Sequence, residues 1–339
     1  MRFSEITEYY ESDLAKIAEN IRKNYQSDIA LAPRVAGHIL GGGGKRIRPI
    51  LLLLSVNLCG HEIDDRVIDH CSVVEFVHAA TLLHDDVVDE TTVRRGTATA
   101  NAKWGSDASI LMGDFLISRA ILILANDNDP KIFKAFAQSA NILVDGGLLE
   151  LTNARNTQVT EEHCLDVIYK KTASIMSLSC QLGALLAEST KTLEHTMIAF
   201  GKNFGMAFQL MDDVLDYDGT EEQLGKPIGT DFKEGHVTLP LLRLYQTGDD
   251  AQKREIEAFV KNDNVSSKDI EYIVERMRES KALEYTIEKA EEYMSQAKKQ
   301  LLSTELQSPR HIELMTGLMD YIIGRYQPAK PSLTPISNY

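Results

Sequence analysis

Two stretches of the chain, "DDVVD" at 85–89 and "DDVLD" at 212–216, repeat one acidic pattern, D-D-x-x-D, within helical surroundings. Residues four apart share a helix face, so Asp85 and Asp89 point the same way, as do Asp212 and Asp216. Asp86 and Asp213 lie about 100° further round. Like charges at this spacing repel. Both patterns also follow apolar runs, "AATLLH" and "GMAFQLM", where an unpaired charge is costly to bury. A solvated acidic face would explain one copy. Two copies, each at the C-terminal end of an apolar helix, point to a bound cation. Hard carboxylate oxygens on two facing helices suit Mg²⁺, which takes one or two carboxylates together with substrate phosphate oxygens. Calcium fits less well, because no loop has the Asp/Asn/Gly pattern of an EF-hand.

A second stretch bears on phosphate. "GGGGKRIRP" at 41–49 ends a glycine run in three cations and a proline. A nucleotide-binding P-loop needs a strand, then G-x-x-x-x-G-K-[ST], then a helix. Here Arg46 follows Lys45, and the preceding "IALAPRVAGHIL" lacks strand alternation. The remaining readings are a helix break beside solvated cations or a different anion grip. Lys45, Arg46 and Arg48 precede the first acidic motif and Arg94 and Arg95 follow it. Lys170, Lys171, Lys226 and Lys233 flank the second. Carboxylate-held metal and cationic side chains together would hold a diphosphate from two sides.

The elements that must position these groups read almost entirely as helix. "PILLLLSVNLCG" opens with Pro49 in a first turn and stops at Gly60. The segments "IDHCSVVEFVHAATLLHDDVVDE", "SILMGDFLISRAILILAN", "FKAFAQSANILVDGGLLEL", "LDVIYKKTASIMSLSCQLGALLAE" and "TMIAFGKNFGMAFQLMDDVLDY" follow helical periodicity. Two longer loops, 90 to 105 and 218 to 239, hold cations and glycines. No strand alternation persists and no linker divides the chain. The expectation is one all-α domain, 1–326, with a mobile tail, 327–339, holding three prolines. The 339 residues carry a net charge of −14, so the surface as a whole repels nucleic acid and anionic lipid. The four cysteines, Cys59, Cys71, Cys164 and Cys180, are scattered without C-x-x-C, which fits a reducing, cytoplasmic setting with neither disulfide nor zinc. Without an apolar h-region or a run near 18 apolar residues, neither a secretory signal nor a membrane span is expected.

The chain resembles the trans-polyprenyl diphosphate synthases over about residues 30 to 325. The signatures run in order: "GGGKRIRP", "HAATLLHDDVVDETTVRRG", "KTA" at 171–173, "FQLMDDVLD" and "GKPIGTDFKEGHVTLP". The first acidic region is most similar to that of the bacterial octaprenyl members. The resemblance implies an antiparallel helix bundle around a deep central cavity, usually as a homodimer. It implies Mg²⁺, two or three ions held by Asp85, Asp89 and Asp212, with Asp86, Asp213 and Asp216 behind them. Arg94, Lys171 and Lys226 would grip the same allylic diphosphate. Lys45, Arg48, His78 and Arg95 would hold isopentenyl diphosphate, and Thr172 and Gln209 would lie near the reacting carbons. A lone helix histidine is usually structural; His78 is singled out because it lies seven residues before Asp85. Cys71, Cys164 and Cys180 read as core.

The chain departs from the family pattern in places. Thr230 stands where the family carries aspartate, His236 where it carries lysine, and Gly147 where Gln or Glu is common. By helical spacing from Asp85, the product tail is expected to run past Thr81, Ala80, Val77, and Val74 or Val73. Short-chain relatives place aromatic rings at the first two positions, and here both are small. The expected product is therefore long, about C40, built from farnesyl diphosphate for a quinone side chain. The alternatives are a farnesyl or geranylgeranyl synthase, or the regulatory subunit of a heteromeric enzyme, although such subunits typically lose acidic motifs that are intact here. An HD-type phosphohydrolase would leave the second D-D-x-x-D unexplained. A class I terpene cyclase would lack "GGGKRIRP".

Overall fold

The computed structural model describes residues 2–42, 44–94, 96–220, 228–262, 265–303, 306 and 308–326. Arg95, Lys226 and the tail 327–339 lie outside these described residues. Helices α1 (Phe3–Tyr9), α2 (Glu11–Asn24) and α3 (Leu31–Gly41) lead into α4 (Ile47–Leu58). Pro49 sits in the first turn of α4, and Gly60 just beyond its end takes φ 84°, a conformation glycine adopts without strain. Leu51, Leu52, Leu53 and Leu54 are all fully buried. A helix buried on every side must lie inside the molecule, and each such leucine contributes about 2 kcal/mol of transfer free energy.

Helix α5 (Asp65–Val88) starts where the Asp64 side chain accepts from the Val67 backbone N–H, and it ends on Asp89. The expected loop from 90 contains a short hairpin, β1 (Val93–Arg94) and β2 (Thr97–Ala98), so a strand pair is present that the sequence did not announce. Helices α6 (Ala100–Trp104), α7 (Ser106–Asp127) and α8 (Pro130–Thr152) follow. Helix α7 is long and apolar enough to cross a membrane by length and composition alone, a test that the core helix of a globular protein also passes, and Asp114 and Arg119 interrupt its apolar run. One face of α7 packs along α5.

The expected single helix over 165–188 is instead three pieces: α9 (Glu161–Ile168), a π turn (Tyr169–Ala173) and α10 (Ser174–Leu186). Helix α10, buried along nearly its whole length, packs against α4, α8 and α11 (Lys191–Asp218). Beyond it lie α12 (Thr230–Glu234), α13 (Leu239–Thr247), α14 (Asp250–Val260), α15 (Ser267–Glu279), α16 (Ala282–Leu302) and α17 (Pro309–Ile323). The main core joins α4, α5, α10 and α11. A second cluster joins the end of α11, through Val214 and Tyr217, to the later helices. The all-α expectation therefore holds, and the ends of α5 and α11 that carry the acidic motifs rest on these two cores.

Candidate active site

A cavity of about 1040 Å³ opens where α4, α5, α8, the π turn, α11 and α12 converge. Asp85, Asp89, Asp212 and Asp213 line it from the two acidic motifs; Lys45, Arg48, His78, Arg94, Lys171, Thr172 and Gln209 line it from the other expected positions. Asp86 and Asp216 are fully buried behind the lining. Asp86 Oδ1 accepts from Arg94 Nε at 2.8 Å, and its backbone carbonyl accepts from Asn101 Nδ2 at 2.8 Å. Asp216 Oδ2 accepts from the Asp231 N–H at 3.1 Å, and its carbonyl accepts from the Gly229 N–H at 2.7 Å. The third aspartate of the second motif thus anchors the loop that carries α12.

Of the residues on the expected tail path, Thr81 lines the cavity, and Ala80 and Val77 are buried on α5 outside its lining. Position 80, five residues before Asp85, lies about 140° around the helix from it. The lining face is Glu75, His78, Ala79, Leu82 and Asp85, at helical spacing.

Lys171 reaches the site through the π turn. Such turns are rare and concentrate at functional sites. This one is clasped by two glycines. A Cβ on Gly146 of α8 would stand 2.7 Å from Lys170 Cβ, and one on Gly205 of α11 would stand 2.5 Å from Ala173 Cα. Lys171 makes a close ion pair with Glu150 and lies 3.8 Å from Asp85 Oδ1. Burial pulls the Lys171 pKa down, but Glu150, Asp85 and Asp89 outweigh it and hold the ammonium well above its ordinary value. Thr172 Oγ1 donates to Gln209 Oε1 at 2.8 Å, and Gln209 Nε2 donates to Asp213 Oδ1 at 2.9 Å, linking the π turn to the second motif.

Burial pushes the Asp85 and Asp89 carboxyls above their ordinary range. Lys171 opposes this most at Asp85, and His236 at Asp89. Asp86 is also raised by burial, against Arg94. Its Oδ2 is buried and finds no hydrogen-bond partner among the described residues. Crowded carboxylates raised by desolvation, with only part of their charge answered by Lys171 and Arg94, fit a divalent cation held by hard oxygen ligands.

Several lining residues escaped the sequence reading. Glu150, on α8, is the partner of Lys171. Glu75, also on α5, pairs closely with Arg46, whose Nη2 donates to the Leu40 carbonyl at 2.6 Å; Arg46 thus braces its own loop while also lining the cavity. Arg325, just past α17, donates from Nη1 to Asp212 Oδ1 at 2.5 Å, across 113 positions of sequence that no local signal spans. The departed position, His236, lines the cavity beside Asp89 and Glu234. Lys45 places its ammonium 5.5 Å from the Tyr321 ring centroid.

An all-α bundle with two aspartate motifs and a cationic rim around one cavity defines the class of metal-dependent enzymes that handle prenyl diphosphates. Residues 30–277 match the Polyprenyl synthetase family, and the chain belongs to it. It is 38% identical over 297 residues to octaprenyl diphosphate synthase of Escherichia coli (strain K12), covering 88% of this chain and 91% of that one. It is 35% identical over 285 residues to the geranyl-diphosphate-specific all-trans-nonaprenyl-diphosphate synthase of Rhodobacter capsulatus, covering 84% and 87%. A polyprenyl synthase from Caulobacter crescentus CB15, solved with calcium and isoprenyl diphosphate, superposes with a TM-score of 0.91 at 32% identity, covering 96% and 98%. The protein is a trans-polyprenyl diphosphate synthase, a prenyltransferase.

Proposed function

We propose that the enzyme extends farnesyl diphosphate by successive isopentenyl units to about C40, for a quinone side chain, as one catalytic unit over residues 1–326. The observation that carries this reading is a single cavity with two distinct cationic groups beside two aspartate motifs, in a chain 38% identical to an octaprenyl synthase. Asp85, Asp89 and Asp212 would hold Mg²⁺, which supplies charge stabilisation to the departing diphosphate. Lys171, kept charged by its carboxylate neighbours, and Arg94, braced on Asp86, grip that diphosphate as its C–O bond breaks. Lys226, expected to share this role, lies outside the described residues. Lys45, Arg48 and His78 hold isopentenyl diphosphate, with Arg95, also outside the described residues, expected to join them. The Thr172–Gln209–Asp213 chain fixes the wall beside the reacting carbons.

Two finer readings accompany this one. The four cysteines are unpaired thiols, and burial lifts Cys59, Cys164 and Cys180 to about 12, which suits a reducing cytoplasm. Exposed Leu111 and Leu122 on α7 and Val144, Leu148 and Leu151 on α8 suit a homodimer contact. The test is to incubate the purified protein with Mg²⁺, farnesyl diphosphate and labelled isopentenyl diphosphate and to size the product by mass. A C40 product is expected; arrest at C15 or C20 overturns the long-chain reading.

A further inference from the structure

We propose that His236, Asp89 and Glu234 form a nitrogen-containing cation site in the cavity that takes a first-row transition ion such as Mn²⁺ in preference to Mg²⁺. This rests on the divalent-metal reading above and specifies which ion one part of the site favours. One ligand atom from each of the three residues lies within 4.8 Å of the other two. Ligand atoms bound at about 2.1 Å around such an ion stand about 3–4.2 Å apart, so closure needs only small side-chain movements.

The spacing around the imidazole is that of groups facing one another across a gap. His236 Nε2 lies 3.9 Å from Asp89 Oδ1 and 4.0 Å from Glu150 Oε2, and Nδ1 lies 3.9 Å from Glu234 Oε2. These separations exceed hydrogen-bond range. Asp89 and Glu150 thus face Nε2 while Glu234 faces Nδ1, so an ion bound through one ring nitrogen takes the carboxylate beside it and draws in the other across the 4.8 Å cluster.

Each ligand sits on its own rigid support. Asp89 caps α5, its N–H donating to the Asp85 carbonyl at 2.8 Å. Glu234 ends α12, and its Oε1 accepts from Thr91 Oγ1 at 3.1 Å. His236 follows Gly235, which takes φ 83°, and its N–H donates to the Asp231 carbonyl at 2.8 Å. Arg155 closes the turn by donating its N–H to the Gly235 carbonyl at 2.8 Å. Their side chains are 15–19% exposed, so solvent ions can reach them.

The donor set decides the selectivity. Mg²⁺ is hard and strongly prefers oxygen, whereas an imidazole nitrogen raises affinity for first-row transition ions relative to it. A permanently charged lysine at 236 would repel an ion at this point; a neutral imidazole accepts one.

The test is pulsed electron paramagnetic resonance on the metal-stripped, full-length protein loaded with Mn²⁺ alone. The wild type should show ¹⁴N modulation from a directly bound imidazole, replaced by the ¹⁵N pattern when histidine is isotopically labelled. His236→Gln and His236→Lys, checked as folded by circular dichroism, should lose the modulation. Their Mn²⁺ dissociation constants should rise by on the order of tenfold. Mg²⁺ affinity, read by competition, should change far less. Mn²⁺ binding without nitrogen modulation in the wild type overturns the site and leaves the divalent-metal reading standing. Modulation that survives in His236→Gln assigns the nitrogen elsewhere and also overturns it. Failure of the wild type to bind any Mn²⁺ or Mg²⁺ sinks both. Should the position-236 variants misfold, the wild-type isotope exchange and Glu234→Gln decide.

Discussion

Replacing Asp85 or Asp212 with alanine removes a carboxylate from the cavity that no neighbour can supply. Turnover is expected to fall at least about 10²-fold, a few kcal/mol of barrier, measured as kcat on folded protein. Activity should also disappear in EDTA and return with added divalent ion. Asp213 tests the electrostatics separately. Burial, then nearby Asp231, lifts its pKa well above the ordinary 3.8, with the Gln209 hydrogen bond opposing. A carboxyl raised in the folded state contributes stability that is complete below its unfolded value and is lost as pH rises through the folded one. Asp213→Asn has no proton to lose. Its melting temperature in metal-free buffer should match the parent's below about pH 4 and exceed it by on the order of 2–4 °C well above that pH. An advantage that shrinks as pH rises would contradict this placement of charge.

The π turn is the element on which the site depends, and its two flanking glycines act through shape. Gly205→Ala would drive a methyl to 2.5 Å from Ala173 Cα, displacing Lys171 and Thr172 together. A loss of about 1–3 kcal/mol of stability is expected, with allylic KM raised. Gly147→Ala is the control, since nothing lies within 4 Å of its added carbon: allylic KM should stay at the parent's value, while stability should rise by about 0.5–1 kcal/mol from the helix preference of alanine. On α5, Thr81→Phe places a ring in the cavity four residues before Asp85 and should shorten the product while the first condensation persists, read by mass analysis. Ala80→Phe would instead overpack a fully buried position and lower the melting temperature. Much of this was legible in the sequence: the acidic pairs and the helices that carry them follow from spacing and periodicity, and "KTA" from the family resemblance. The π turn was not, because its five residues fit the helical pattern on either side. Glu150 was hidden because pairing across α8 depends on a close approach that only the fold reveals.

For the whole molecule, Leu111→Glu and Leu148→Glu place charge on the exposed apolar faces of α7 and α8. If these faces join two copies, sedimentation should show the parent as a dimer and the variants as largely monomeric; a parent that sediments as a monomer contradicts the contact. The residue just past α17 carries another consequence. Arg325 sits on Asp212 and so gives that carboxylate a resident counter-ion. If Asp212 takes a metal ion, loading the second motif is an ion exchange, in which the arriving cation competes with a guanidinium built into the polypeptide. The apparent affinity for metal at that motif would then contain the free energy of displacing the Arg325 guanidinium.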